Sequence, residues 1–177
     1  ELVFEGLEIP DENRLLGVGD GLKVTQIRLG TARLTHCMRW LGLSKRCLEE
    51  ASAYVAHRMS FGQTLAAHEG VQWMLGDVAK DIQIGRLLTM QAAWKLDQGD
   101  FARSDISIAK IHAADTLHKA ADTAIQLLGA RGYSKDTIVE WIYRYARQAR
   151  LVDGASEIHK MVLSRAYLSE GQDFFRW

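Results

Sequence analysis

The chain has 177 residues, 47% of them hydrophobic, which is enough for one domain with a sizeable core and too short for two ordinary domains. Its 22 basic and 22 acidic residues cancel, so nothing calls for a polyanion partner, and nucleic acid and anionic membrane surfaces are set aside. No apolar run reaches the roughly 20 residues that span a bilayer, and nothing near Glu1 reads as a signal peptide.

Residues Leu2 to Pro10 alternate like the tail of a strand, and a polar, glycine-rich link follows to about Gly21. The chain is therefore expected to begin inside a larger protein. Pro10 is the only proline, so nothing after it forbids long helices. Leu34, Cys37, Leu41, Leu48, Ala51 and Val55 keep mostly three- and four-residue steps and predict a first helix from about Leu22 to His57. Cys37 and Cys47 lie ten apart within it, too far along the axis for a disulfide, and read as small buried residues of a reducing compartment. The run Phe61-Gly-Gln-Thr64 breaks the helix.

A second helix carries Val71, Leu75, Val78, Ile82, Gly85, Ala92 and Leu96 on one stripe and ends at Asp97-Gln-Gly-Asp100. At about 1.5 Å per residue it would be on the order of 45 Å long. A third stripe, Ile111, Ala114, Leu117, Ala121, Ala124 and Leu128, ends at Gly129-Ala-Arg-Gly132, where glycine supplies a left-handed cap. Its small residues would let neighbouring helices approach closely. Ser134 to Asp136 can start a fourth helix carrying Ile138, Trp141, Ile142 and Tyr145, and a fifth, with Ile158, Met161, Val162 and Ala166, follows Asp153-Gly154. The fold predicted is all-α, an up-and-down bundle of long antiparallel helices preceded by a short strand remnant of a β domain.

Asp153 stands at the glycine break before the fifth helix. A carboxylate there can face a pocket and take a proton, or it can cap the helix, and spacing alone favours the cap. The six histidines do not form a metal site on spacing. His112 and His118 are six apart, about 120° off a common helical face, no HxxxH or CxxC occurs, and Glu157 precedes His159 by two positions instead of three. The Gly17-Val-Gly-Asp-Gly21 loop lacks the lysine and hydroxyl ending of a phosphate loop. Arg144, Arg147 and Arg150 form a stripe that reads as a solvated face, or as a source of positive potential near Asp153. In Arg58-Met-Ser-Phe-Gly62 an arginine, a hydroxyl and an aromatic converge at a turn, the groups wanted for a pyrophosphate and a flat ring. A cation at a helix C-terminus with a phenylalanine plugging the bundle explains them equally well.

Taken in order, Arg58-Met-Ser-Phe-Gly62, Gln126-Leu-Leu-Gly-Ala-Arg-Gly132 and Asp153-Gly-Ala-Ser-Glu157 resemble the C-terminal half of an acyl-CoA dehydrogenase, over nearly the whole chain. The stretch Arg33-Leu-Thr-His-Cys-Met-Arg39 is most similar to the branch that includes large kinase-fused members. The resemblance implies residues 1-21 as the end of a preceding β domain and linker, and 22-177 as the C-terminal helical-bundle domain. It implies FAD as cofactor and α,β-dehydrogenation of an acyl-CoA thioester. The family's catalytic base, usually Glu, falls on Asp153. Cofactor contacts fall on Arg58, Ser60, Phe61, His68, Gln126, Leu127, Leu128, Gly129, Ala130, Ala155, Ser156 and Glu157, with the ADP part belonging to an FAD bound mainly by a neighbouring subunit. Substrate contacts fall on Arg33 and Gly154.

An electron-transferring flavoprotein is implied as the electron acceptor, and a homodimer or homotetramer as the assembly, the latter also prompted by the aromatics Trp141 and Trp177. The compartment would be the cytoplasm of a bacterium or the mitochondrial matrix of a eukaryote. The sequence departs from the family pattern at several positions: Asp153 is one methylene shorter than Glu, Gly30 stands where many members have Asp, Ala155 where many have Thr, Glu157 where many have Gln, and Ala130 where many have a second Gly. These leave two further readings open, a non-catalytic oligomerisation bundle of the same fold and an acyl-CoA oxidase or nitroalkane-oxidising relative. Because the flavin platform lies outside this chain, the segment alone is expected to be inactive.

Overall fold

The structure is a computed structural model that describes residues 1–176. Three long helices form its frame: α1 (Gly21–Val55), α2 (Glu69–Asp97) and α3 (Arg103–Leu128). Helix α1 buries Leu34, Cys37, Trp40, Leu41, Ser44, Cys47, Ala51 and Val55, one face at three- and four-residue steps. Helix α3 is the central element and packs against α1, α2 and the helices that follow it. It can do so because Ala109, Ala113, Ala114, Ala120, Ala121 and Ala124 are all buried, and methyl side chains keep the helix axes close. Gly85 does the same for α1 against α2, since a Cβ there would lie 2.6 Å from Leu41 Cδ2 and 3.2 Å from His112 Cδ2. None of the described helices is long and apolar enough to cross a membrane.

Helix α3 ends at Gly129, with φ of 62° and its N–H donating to the Ile125 carbonyl, so the expected glycine stop is observed. A short helix, α4 (Ala130–Tyr133), then folds back on α3, one that the apolar pattern does not mark. Ser134 and Asp136 form a turn instead of a helix start, with the Asp136 N–H donating to Ser134 Oγ, and α5 (Val139–Gln148) begins later. Its buried face is Val139, Ile142 and Ala146, whereas Ile138 and Trp141 are each 47% exposed. The helix is thus turned by one residue from the expected stripe, and Trp141 stacks on Tyr145 at 5.2 Å on the outer side. Helix α6 (Ser156–Glu170) buries only Ser156 and His159, and the expected core residues Ile158 and Met161 are exposed.

Among the described residues, 1–20 contain no strand and only a single 3-10 turn, Asp11–Asn13. The alternating segment has no neighbour with which to exchange backbone hydrogen bonds, and an unpaired strand does not hold. A small hairpin forms where a plain break was expected, with β1 (Met59–Ser60) antiparallel to β2 (Gln63–Thr64) and Met59 opposite Thr64. Phe61 and Gly62 make its two-residue turn, with φ of 47° and 82°. Positive φ at both positions is the geometry whose twist matches a hairpin, and it puts a phenylalanine where an L side chain is strained.

Candidate active site

Asp153 lies in the loop between α5 and α6, with φ of 52°, and is followed by Gly154 at 104°. The cap reading is overturned: α6 starts at Ser156, its N-cap is Ala155, and no side chain caps it. The Asp153 carboxylate is turned instead to His36 on α1, with Oδ2 3.0 Å from Nε2. Two cations hold the backbone of the same loop. Arg33 Nε donates to the Asp153 carbonyl at 2.9 Å, and Lys110 Nζ donates to the Gly154 carbonyl. A left-handed conformation on a non-glycine residue persists where its surroundings over-determine it, and here three side chains from two helices do so.

Lys110 is fully buried on α3, 5.7 Å over the ring of Trp40. Burial pushes its ammonium below the usual lysine value, with Arg33 adding to the effect while Cys37, Asp153 and Glu157 oppose it. Burial likewise lowers Arg33, against the attraction of Asp153. Cys37, also buried, is pushed up to about 12 by desolvation despite the nearby Lys110, so its thiol stays neutral. Both Cys37 and Cys47 are free thiols.

His159 closes the other side of the loop. Burial first, then the positive charges of Lys110 and Arg33, push its pKa down to about 4. Ser107 Oγ donates to the Arg103 carbonyl at 2.9 Å and therefore accepts from His159 Nδ1–H at 3.0 Å. Among the described residues, four buried polar atoms of this neighbourhood lack a hydrogen-bond partner: His36 Nδ1, Trp40 Nε1, Ser156 Oγ and His159 Nε2.

The Arg58 group forms a second cluster, at the other end of the bundle. Phe61 is 96% exposed, with the edge of its ring toward His68 at 6.4 Å between centroids. Gln63 Nε2 donates to His68 Nδ1 at 3.2 Å, so His68 Nε2–H donates to the Ser60 carbonyl at 3.1 Å and ties the hairpin to the start of α2. Arg58, Gln126, Gly129 and Ala130 are exposed at this end, whereas Leu127 and Leu128 are core residues whose side chains cannot meet a ligand. Ala155 ends the Asp153 loop, Ser156 is the buried first residue of α6, and Glu157 is exposed beside it. The two clusters are far apart, about 28 Å along α1 from His36 to its end at Val55, just before Arg58, and about 24 Å along α3 from Lys110 to Gln126, at 1.5 Å per residue.

The structure thus brings Asp153, Gly154 and Arg33 together, and separates them from Arg58, Ser60, Phe61, His68 and the Gln126 run. It adds His36, Lys110 and His159, which the sequence reading did not single out. A lysine at position 110, amid the alanines of the α3 core stripe, was the available signal. The Arg144 stripe does not supply the local potential, because Arg144 pairs with Glu140 at 2.8 Å and Arg150 with Asp115 at 2.9 Å. Trp177 lies outside the described residues.

A profile described as "Acyl-CoA dehydrogenase, C-terminal domain" matches residues 19–168. The "Probable acyl-CoA dehydrogenase IBR3" of Arabidopsis thaliana is 37% identical over 173 residues, covering 94% of this chain and 21% of that protein. An "Acyl-CoA dehydrogenase" of Bacillus subtilis (strain 168) is 33% identical over 168 residues, covering 95% of this chain and 44% of its own length. The chain therefore spans less than half of either relative. Among solved structures, the butyryl-CoA dehydrogenase of Megasphaera elsdenii superposes with a TM-score of 0.90 at 30% identity, covering 94% of this chain and 43% of that one. A glutaryl-coenzyme A dehydrogenase in complex with glutaryl-CoA gives 0.87 at 32% identity, covering 91% and 41%. A profile match over most of the chain, on a bundle with this geometry, places the protein in the acyl-CoA dehydrogenase family, of which this chain is the C-terminal helical domain.

Proposed function

We propose that this domain is the catalytic and assembly part of an FAD-dependent acyl-CoA dehydrogenase in which Asp153 removes the α-proton of an acyl-CoA thioester. The observation that carries the reading is the setting of Asp153. Its carboxylate is free of any capping duty and its side chain is 23% exposed, while the loop beneath it is clamped by Arg33 and Lys110. Strain of this kind costs on the order of 1–3 kcal/mol and persists where the position serves a purpose. An α C–H beside a thioester is a weak acid, so the base must be fixed within reach of it. Asp153 takes that proton, and the C–H electron pair enters the new double bond between the α and β carbons. FAD, when bound, supplies the acceptor for the hydride that leaves the β carbon.

The second cluster fits the ADP part of that cofactor. Arg58 offers an exposed cation for a pyrophosphate, Phe61 an exposed ring, and Gly129 a helix end without a side chain. Ser60, His68, Gln126 and Ala130 complete this end. Its distance from Asp153 supports an assembly in which it serves a neighbouring copy's cofactor while Asp153 serves its own. A homodimer or homotetramer follows, and exposed apolar residues such as Trp73, Leu87, Met90 and Trp94 on α2 and Trp141 on α5 suit such contacts. Acyl-CoA as substrate and an electron-transferring flavoprotein as acceptor belong to the same reading, as does inactivity of the isolated domain. In the complete protein, Asp153→Asn should bind FAD and acyl-CoA and yet leave the flavin oxidised. Undiminished reduction by substrate would place the base elsewhere.

A further inference from the structure

We infer that His36 is the positioning residue for Asp153: its imidazole holds one carboxylate oxygen and thereby determines that the other is presented to the α-proton. The inference rests on the reading of Asp153 as base. Oδ2 lies 3.0 Å from His36 Nε2, with the two side chains 23% and 21% exposed, so the contact is largely shielded from water. The ring of His36 is itself fixed, stacked on the fully buried Trp40 at 5.3 Å between centroids and 16° between planes. His36 is three residues beyond Arg33, so one face of α1 grips Asp153 at both ends, by its carbonyl through Arg33 and by its carboxylate through His36.

A short aspartate needs this more than a glutamate does. The terminal torsion of a carboxylate is broad and roughly two-fold, so backbone placement alone does not choose between the oxygens. A fixed N–H donor does, and it leaves Oδ1 as the basic atom. Two other histidines differ from His36 in this respect. His112 bonds a backbone carbonyl, Asp81 O, at 2.8 Å, and His68 bonds Ser60 O, both serving the fold. Among the described residues His36 bonds no backbone, and its Nδ1 is buried without a partner. Apart from stacking, its polar contact is with the carboxylate.

The charged and titratable groups that bear on the Arg33 and Lys110 clamps beside the pair are Asp153, Glu157, Cys37 and Arg103, and both clamps in turn act on His159. Arg33 and Lys110 already place two positive charges by the loop, and the His36 imidazole adds an N–H donor to the carboxylate. It would stabilise the ionised carboxylate by hydrogen bonding.

The test compares His36→Phe, which keeps a ring on Trp40 and loses the donor, with His36→Gln, which restores an N–H, both in the full-length flavoprotein. Three quantities are read: the rate of flavin reduction at saturating acyl-CoA, the dissociation constant of a 3-thiaacyl-CoA, and deuterium wash-in at the α carbon of that analogue in D2O. The last reports proton abstraction without hydride loss. His36→Phe is expected to lower flavin reduction and wash-in together by about tenfold or more and to leave analogue affinity unchanged. His36→Gln should recover most of the rate. Unchanged wash-in in His36→Phe overturns the inference, as does a loss that follows FAD content and is not rescued by Gln. Asp153→Asn separates this from the reading beneath it. If that variant still exchanges the α-proton, the base assignment fails; if it is silent while His36→Phe behaves as the parent, only the role of His36 fails.

Discussion

Gly154 packs so closely on His159 that a Cβ at position 154 would stand 3.1 Å from the imidazole Nε2. This contact seals the ring against the loop that carries Asp153 and goes with the depressed pKa of His159, about 4. An unfolded chain takes up a proton at this histidine near pH 6.5, the folded one only near pH 4. Between those values the unfolded state binds more protons, so the contribution is complete above pH 6.5 and is lost as pH falls toward 4. The loss amounts to about 1.4 kcal/mol per pH unit of that window. Urea midpoints of the domain should therefore fall between pH 7 and pH 4.5, and His159→Gln should flatten that part of the slope. An identical slope in the variant would contradict the assignment.

Packing of α1 on α2 depends on the missing side chain of Gly85. Gly85→Ala would bring a methyl to 2.6 Å from Leu41 Cδ2. The shift required of a core leucine and of His112 outweighs the gain in helix propensity, so a net destabilisation of about 1–3 kcal/mol is expected. Thermal or urea denaturation measures it. A variant as stable as the parent would show that Leu41 relaxes without strain.

Arg58 and Phe61 are exposed, so replacing them should affect the cofactor and not the fold. Losing a charge-assisted hydrogen bond from Arg58 costs about 1.5–3 kcal/mol, so Arg58→Ala in the full-length protein should weaken FAD affinity by about tenfold or more, with the melting temperature of the apoprotein unchanged. Phe61→Ala should act in the same direction. FAD titration by fluorescence distinguishes this from a structural role, in which the apoprotein melting temperature falls and FAD affinity does not.

The frame of the fold is legible in the sequence because a single proline at position 10 leaves three uninterrupted apolar stripes, and Gly129 marks the end of one of them. What was not legible depended on the environment. The strand-like pattern at Leu2–Ile9 needs a partner strand that is not among the described residues, and the face of α5 was settled by what fits against the alanines of α3. Sequence places Asp153 by order and spacing, but a cap and a base share the same dipeptide. The difference between them lies in contacts from far along the chain. Lys110 is 44 residues from Gly154, and Arg33 is 120 from Asp153, so neither clamp leaves a local pattern.

The central claim is that the carboxylate of Asp153 is the α-proton base, and stopped-flow flavin reduction of the full-length Asp153→Asn variant by saturating acyl-CoA tests it most directly. The account predicts a protein with normal FAD content and substrate affinity whose flavin reduction is slower by about a hundredfold or more. Reduction at the parent rate in that variant would contradict it.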